Sequence, residues 1–398
     1  MTVVAVIAEY NPFHIGHMHH FDCIRKQFGD DCAILVLLSS NFVQRGDVAV
    51  FDKYTRAEFA ISCGANLVLE LPYPYSCASA EAYATSAVHI LTELGCVDFL
   101  SFGSESGDIT ALQTAADHLN SEKYQAAFLS AAKANRSIGH ASLSEKVYAE
   151  LFGNAALLTT PNNTLGLEYL SAIKRLSSPL APHTVLREGD YHTGKGKYPS
   201  ASALRRKLQK GAVASLQNNV PDSCFPILER ELHERRAPAL LSKLSPSLIP
   251  MLLQAPPASP NDFADCNGGL GCRLMEALTD VYNVDDWLSR ARSHKFTLAR
   301  IRRAMLHLSL GTTSDMISSP PAYSQLLACD KTGQQLLKAI KKGSHFTILT
   351  KPADYVLLPP EARAQAQVSH RADLMYAWSL PAPQSAVNPL RRTPYCEK

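Results

Sequence analysis

The feature that most constrains the fold is a series of short, mostly apolar runs early in the chain, each followed by polar or glycine-rich residues. Val3 to Ala8, Ala33 to Leu38, Leu67 to Leu71 and Val97 to Phe102 are such runs. A short run without polar alternation reads as a strand covered on both faces, as in a parallel sheet flanked by helices. Helical patterns fill the intervals. Ile15, Met18, Phe21, Ile24 and Phe28 recur at helical spacing, as do Tyr83, Ala87, Ile90, Leu91 and Leu94, after which Gly95 offers a stop. Strand and helix in alternation predict an α/β fold with a Rossmann-like, doubly wound parallel sheet, closed by a helix over Ala201 to Leu208.

A chain of 398 residues is long for one core, so two domains are expected. After about residue 212 the character changes. Pro238, Pro246, Pro250, Pro256, Pro257 and Pro260 crowd one segment, clear β runs become rare and helical patterns dominate. The expected division is 1–212 for the α/β domain and 213–398 for a second, mostly α-helical domain. Apolar residues at 46% and charged residues at 19% exclude a disordered chain. With a formal net charge of only +3, any nucleic-acid contact must rest on local clusters. None of the ten cysteines forms a CxxC pair, and Cys266 with Cys272 is too widely spaced for a zinc site, so no metal site is expected. The cysteines read as small core residues of a reduced, cytoplasmic protein. There is no signal-like segment, and no apolar run long enough for a membrane span.

The strongest chemical signal is Glu9-Tyr10-Asn11-Pro12-Phe13-His14-Ile15-Gly16-His17, where the first strand hands over to the first helix. Ligands of open α/β sheets bind at the carboxyl ends of strands. A helix N-terminus there offers free N–H groups and a positive dipole end to phosphate. Gly16 permits close approach of a ligand to the backbone. His14 and His17 share a helix face and are the predicted catalytic pair, stabilising charge that develops at an α-phosphorus. Further along, Ser200, Ser202 and Arg205 combine a hydroxyl-bearing helix start with a cation one turn on, which suits the outer phosphates of ATP. Asn41, Gln44, Arg45 and Lys53, with Arg56, follow the second strand and are expected to rim the same cleft as a substrate pocket. The same residues read equally well as a solvated loop with ordinary ion pairs. Gly189 to Gly196 nearly spells a phosphate-binding P-loop, but Gly196 stands where a Ser or Thr would hold magnesium, and no helix pattern begins there. The loop from Gly189 to Pro199 reads as a basic segment near the phosphates. In the second half, Arg290, Arg292, Lys295, Arg300, Arg302 and Arg303 occur without an intervening acid, on and before a helix capped by Thr297 and ended by Gly311. Most of these cations fall outside the stripe Leu298, Ile301, Met305 and Leu308, so they are expected to face solvent and suit an RNA backbone.

Taken together, the opening Asn-Pro-Phe-His-x-Gly-His, Asn41 to Gly46, Phe102 to Glu105, Pro161 to Asn163 with Leu165 to Tyr169, and Ser200 to Ser202 resemble the bacterial tRNA(Met) cytidine acetate ligase family, of the HxGH nucleotidyltransferase superfamily. Lys295 to Ile301 is similar to the C-terminal part of that family. The resemblance implies a HUP-type fold and an ATP-dependent ligase. It would activate acetate as acetyl-adenylate, with release of pyrophosphate, and pass the acetyl group to N4 of the wobble cytidine of elongator tRNA(Met), without acetyl-coenzyme A. ATP is then a substrate, with Mg2+ expected beside it. The resemblance also implies that the segment from Ile7 to His20, including Glu9, Asn11, Pro12, Phe13, His14, Gly16 and His17, lines the ATP site. Gly103, Asn162 or Asn163, and Arg187 would contact the nucleotide. A small-molecule adenylyltransferase of coenzyme synthesis is the alternative; it shares the histidine site but leaves the basic helix unexplained. A non-catalytic RNA-binding protein on a nucleotide fold is a third reading.

Overall fold

The computed structural model describes residues 1–135, 138–187, 200–382 and 392–397. The loop from Gly189 to Pro199 lies outside the described residues. The sheet strands are β1 (Val3–Ala8), β2 (Ala33–Ser39), β3 (Leu67–Leu71), β4 (Phe99–Ser104), β5 (Ala181–Leu186), β6 (Tyr323–Cys329), β7 (Thr347–Leu349) and β8 (Tyr395–Cys396). The helices that matter most are α1 (Ile15–Phe28), α2 (Lys53–Ser62), α3 (Ala80–Glu93), α4 (Pro161–Arg175), α5 (Ala201–Gln209), α6 (Leu298–Leu310) and α7 (Pro360–Ala377).

Strand order is β8-β6-β3-β2-β1-β4-β5, with β7 paired to β6. From β3 to β5 every neighbour is parallel, and the order reverses between β1 and β4. That reversal opens a crevice at the carboxyl ends of β1 and β4, the usual ligand position of a doubly wound fold. The apolar runs behave as their composition requires. In β1, Val3 and Ala5 enter one core and Val4 and Val6 the other; in β2, Ala33, Leu35 and Leu37 oppose Ile34, Val36 and Leu38. Helices cover both faces, which is why no polar residue alternates along these strands.

The second half is mostly helical, but it also returns to the sheet. β6 joins β3 in antiparallel register, so the sheet is mixed rather than purely parallel. Residue 212 therefore does not divide the sheet. The helical core formed by Trp287, Ile301, Met305 and Leu308 also takes in Phe42, Val48 and Tyr73 from the first half. A buried charge cluster ties the two halves further. Lys53 Nζ on α2 lies 2.8 Å from a Glu70 oxygen on β3 and 2.7 Å from Asp373 Oδ2 on α7. Among the described residues no helix is long and apolar enough to cross a membrane.

Candidate functional site

The crevice between β1 and β4 holds a cavity of about 250 Å³. Its wall is built from the ends of β1 (Val6, Ile7, Ala8), the turn that follows (Glu9, Tyr10, Asn11), the start of α1, the end of β4 (Phe102, Gly103) with Glu105, the α4 residues Asn162, Leu165 and Tyr169, the end of β5 through Arg187, and the start of α5. The turn is sharp: Tyr10 has φ of +45°, a conformation a bulky residue rarely adopts. Its ring is held against Phe13, His17 and Phe21, with centroids 4.7, 4.8 and 6.2 Å away. Arg56 braces the turn from beneath, donating to Glu9 O at 2.6 Å and Ser40 O at 2.7 Å.

His14 is the N-cap of α1. Its backbone is extended, and its Nδ1 accepts from the N–H of Gly16 at 3.1 Å. His17 Nδ1 accepts from the N–H of His14 at 3.2 Å. The rings stack, with centroids 3.7 Å apart. Since Nδ1 is an acceptor in both, each neutral ring carries its proton on Nε2 and can donate from there. Burial, aided by Arg187, lowers His14 to about 3. Burial and then the neighbouring His14 hold His17 well below its ordinary value. No acidic residue occupies the first turn of α1, so two uncharged donors and a helix N-terminus face the cavity from this side, while Glu9 and Glu105 stand elsewhere in its wall.

Arg187 supplies the cation. Its Nη1 donates to Asn162 Oδ1 at 2.6 Å, and Asn162 Nδ2 donates in turn to Glu105 Oε1 at 2.5 Å. The Glu105 carboxylate also accepts the N–H of Asn162 at 3.2 Å and of Asn163 at 2.8 Å, so it sits on the N-terminus of α4. Burial pushes Glu105 up, but these bonds outweigh it and keep its carboxyl below the ordinary range. A side chain on Gly103 would put Cβ 3.0 Å from Arg187 Cγ, so glycine there lets the arginine lie across β4. From α5, Arg205 donates to Asn11 O at 2.7 Å and to Ser202 Oγ at 2.9 Å, while Ser200 caps the helix by accepting the N–H of Ala203.

Ile7, Glu9, Asn11, His14, Gly16, His17, His20, Gly103, Asn162, Arg187, Ser200 and Arg205 are thus brought together around one cavity. Pro12, Phe13, Asn163 and Ser202 stand behind it. Asn163 is buried, and its Oδ1 accepts from the N–H of Glu105 and Ser106, so Asn162 is the asparagine that faces the cavity. The other predicted cluster is not part of the wall. Lys53 is buried in its ion pairs; Asn41 donates to Asp373 and accepts from the N–H of Lys53; Gln44 donates its backbone N–H to Glu9; Arg45 is exposed. Corrections also fall on the basic helix. Arg303 is buried, with bonds of 2.7 and 2.8 Å to Asp265. Arg300 bonds Asp265 O, and Arg302 pairs with Asp47 at 3.5 Å. Of the predicted RNA-facing cations, Arg290, Arg292 and Lys295 are the exposed ones. Sequence reasoning missed Glu105, which accepts from the N-terminus of α4, and Tyr169, whose ring packs against Phe102 with centroids 5.7 Å apart. Both lie in quoted segments, but only pairing across β4 and α4 reveals them. No group of three or more potential metal ligands occurs among the described residues.

A family model described as HIGH Nucleotidyl Transferase matches residues 1–388. The chain belongs to this family. Within the HIGH nucleotidyl transferases its relatives include the tRNA(Met) cytidine acetate ligase of Caldanaerobacter subterraneus subsp. tengcongensis, 34% identical over 89% of this chain and 90% of that one. The tRNA(Met) cytidine acetate ligase of Fervidobacterium nodosum is 33% identical over 95% of this chain and 91% of that one. The crystal structure of Thermotoga maritima TmcAL bound with alpha-thio ATP superposes with a TM-score of 0.91 at 26% identity, covering 100% of this chain and 99% of that chain.

Proposed function

We propose that this chain is a tRNA(Met) cytidine acetate ligase: it activates acetate with ATP and transfers the acetyl group to N4 of the wobble cytidine of elongator tRNA(Met). The observation that carries the chemistry is the stacked pair His14 and His17, both with Nδ1 bound to backbone N–H and both neutral, facing the same cavity as Arg187. ATP lies along the crevice with its α-phosphate near the Nε2–H groups. Arg187 and Arg205 offset the charge of the phosphates, and Ser200 and the start of α5 meet their outer end. An acetate oxygen attacks the α-phosphorus, and the two imidazoles stabilise the charge that grows there, a contribution typically worth about 10²–10³ in rate per donor. Mg2+ would accompany ATP and would offset the charge of its phosphates. No protein nucleophile is needed, because the mixed anhydride is itself the activated acyl group, and no acetyl-coenzyme A takes part. The tRNA docks on the helical half, where Arg290, Arg292 and Lys295 are exposed. With tRNA and ATP as its substrates, the proposed enzyme works in the cytoplasm. The coenzyme adenylyltransferase alternative finds no support in the names of the relatives.

The test combines protein, ATP, Mg2+, isotope-labelled acetate and tRNA lacking the modification, followed by digestion and mass spectrometry. Labelled N4-acetylcytidine that requires ATP and vanishes with His14→Ala supports the reading. Full labelling by both His14→Ala and His17→Ala would sink the mechanism.

A further inference from the structure

The two proposed steps differ in one respect that the cavity must accommodate. In the first, a carboxylate oxygen bonds to phosphorus and the bond to pyrophosphate breaks; no proton moves. In the second, cytidine N4 bonds to the acetyl carbon and the bond from that carbon to the AMP oxygen breaks. AMP departs with the electron pair as a phosphate anion. N4 enters as NH2 and ends as an amide N–H, so one proton must leave the site. A device that exports protons from this cavity serves acetyl transfer alone.

Such a path exists beside the catalytic pair. His20 lines the cavity, one turn along α1 from His17. Its Nε2 lies 2.8 Å from Ser101 Oγ, and Ser101 Oγ lies 3.0 Å from Nδ1 of His183. Ser101 is fully buried on β4, and His183 is its register partner on β5, the edge strand. His183 is half-buried, with its ring edge-on to Phe28 at 5.1 Å. A hydroxyl both donates and accepts, so the three groups can form a directional chain: Nε2–H of His20 to Ser101, and Ser101 O–H to His183. His20 Nδ1 makes no hydrogen bond among the described residues and is left as an acceptor.

We propose that His20, Ser101 and His183 form a proton wire that carries the cytidine N4 proton from the cavity to the β5 edge during acetyl transfer, an inference that rests on the ligase reading. As His20 Nδ1 takes the proton, its Nε2–H moves to Ser101 Oγ and the Ser101 proton moves to His183 Nδ1. His183 then releases its Nε2 proton to water. Rotation of the hydroxyl and exchange of ring tautomers reset the wire. Burial, reinforced by His183 and Arg187, lowers His20 to about 3. Burial lowers His183 as well, so a resting imidazolium is disfavoured at both ends, and the hydrogen-bonded geometry suits concerted transfer with release to water at the β5 edge.

The steps are measured separately: pyrophosphate–ATP exchange with acetate for the first, and transfer from preformed acetyl-adenylate to tRNA in a single turnover for the second. Ser101→Ala should lower transfer relative to exchange by about tenfold or more, the range expected when a general-base route is broken. A solvent deuterium isotope effect on wild-type transfer should shrink in the variant. His183→Gln, at the half-buried edge, should show the same selective loss and guards against misfolding of Ser101→Ala. Equal slowing of both steps, or of neither, would overturn the wire. A wild-type protein that exchanges pyrophosphate but never acetylates tRNA would instead refute the ligase reading, a result distinct from the first.

Discussion

His14 and His20 stand at about 3, against 6.5 for a free imidazole, chiefly because burial penalises the charged ring. The unfolded chain therefore takes up these protons before the folded one does. The sign is that of a depressed pKa: their contribution is fully present above about 6.5 and is lost as the pH falls towards about 3. Urea unfolding at stepped pH should show this decline, with a shallower slope for His20→Asn. Bound ATP should flatten it too, since phosphate favours the imidazolium. The two adjacent asparagines separate at the same scale. Asn162→Ala should raise the KM for ATP by about tenfold, as loss of a bond to a charged group implies, with little change in stability. Asn163→Ala leaves the half-buried N–H groups of Glu105 and Ser106 without their acceptor and should cost about 1–3 kcal/mol in denaturant titration, with KM for ATP retained.

Among the elements, α6 shows how tightly the helical half is fitted to the sheet half. Gly46 closes the turn between Val43 and Asp47 with φ of +67°, and a Cβ there would meet Arg303 N at 2.5 Å and Arg302 Cβ at 2.6 Å. Gly46→Ala should therefore destabilise by about 2 kcal/mol or more, from strain and overpacking together, read as a lowered Tm. The same contacts explain what was legible in the sequence. β1 and β2 are almost wholly apolar, and β3 and β4 are broken by only a few small or paired polar residues, because helices cover both their faces. β5, at the sheet edge, is half-buried up to Val185, exposed at Leu186, and includes Pro182, so it gives no run to read. β6 gives one, Leu326 to Cys329, but after a long helical stretch nothing local says that it pairs antiparallel with β3. His14 and His17 were legible because their backbone role and their chemistry share one short motif. Lys53 and Arg303 misled because a cation next to a cleft looks the same in sequence whether it meets solvent or a distant carboxylate. Asp373 and Asp265, their partners, lie far along the chain.

For the whole molecule, the Lys53, Glu70 and Asp373 cluster acts as a clasp between α2, β3 and α7. Lys53→Met leaves two buried carboxylates without their cation and should cost about 3–5 kcal/mol in urea unfolding. Replacing all three by apolar residues of similar volume should recover much of that loss. A fragment of residues 1–212 lacks both Asp373 and β6, and should show no cooperative unfolding transition. The antiparallel pairing of β3 with β6 also has a consequence in time. On the ribosome, every described wall of the nucleotide cavity has emerged once α5 is made, whereas β3 waits with one edge unpaired while most of the helical half is synthesised. An open, apolar strand edge is a template for pairing with other chains. The nascent protein thus has its ATP crevice before its sheet is closed, and early nucleotide binding would steady the half that is ready while the exposed edge awaits its partner.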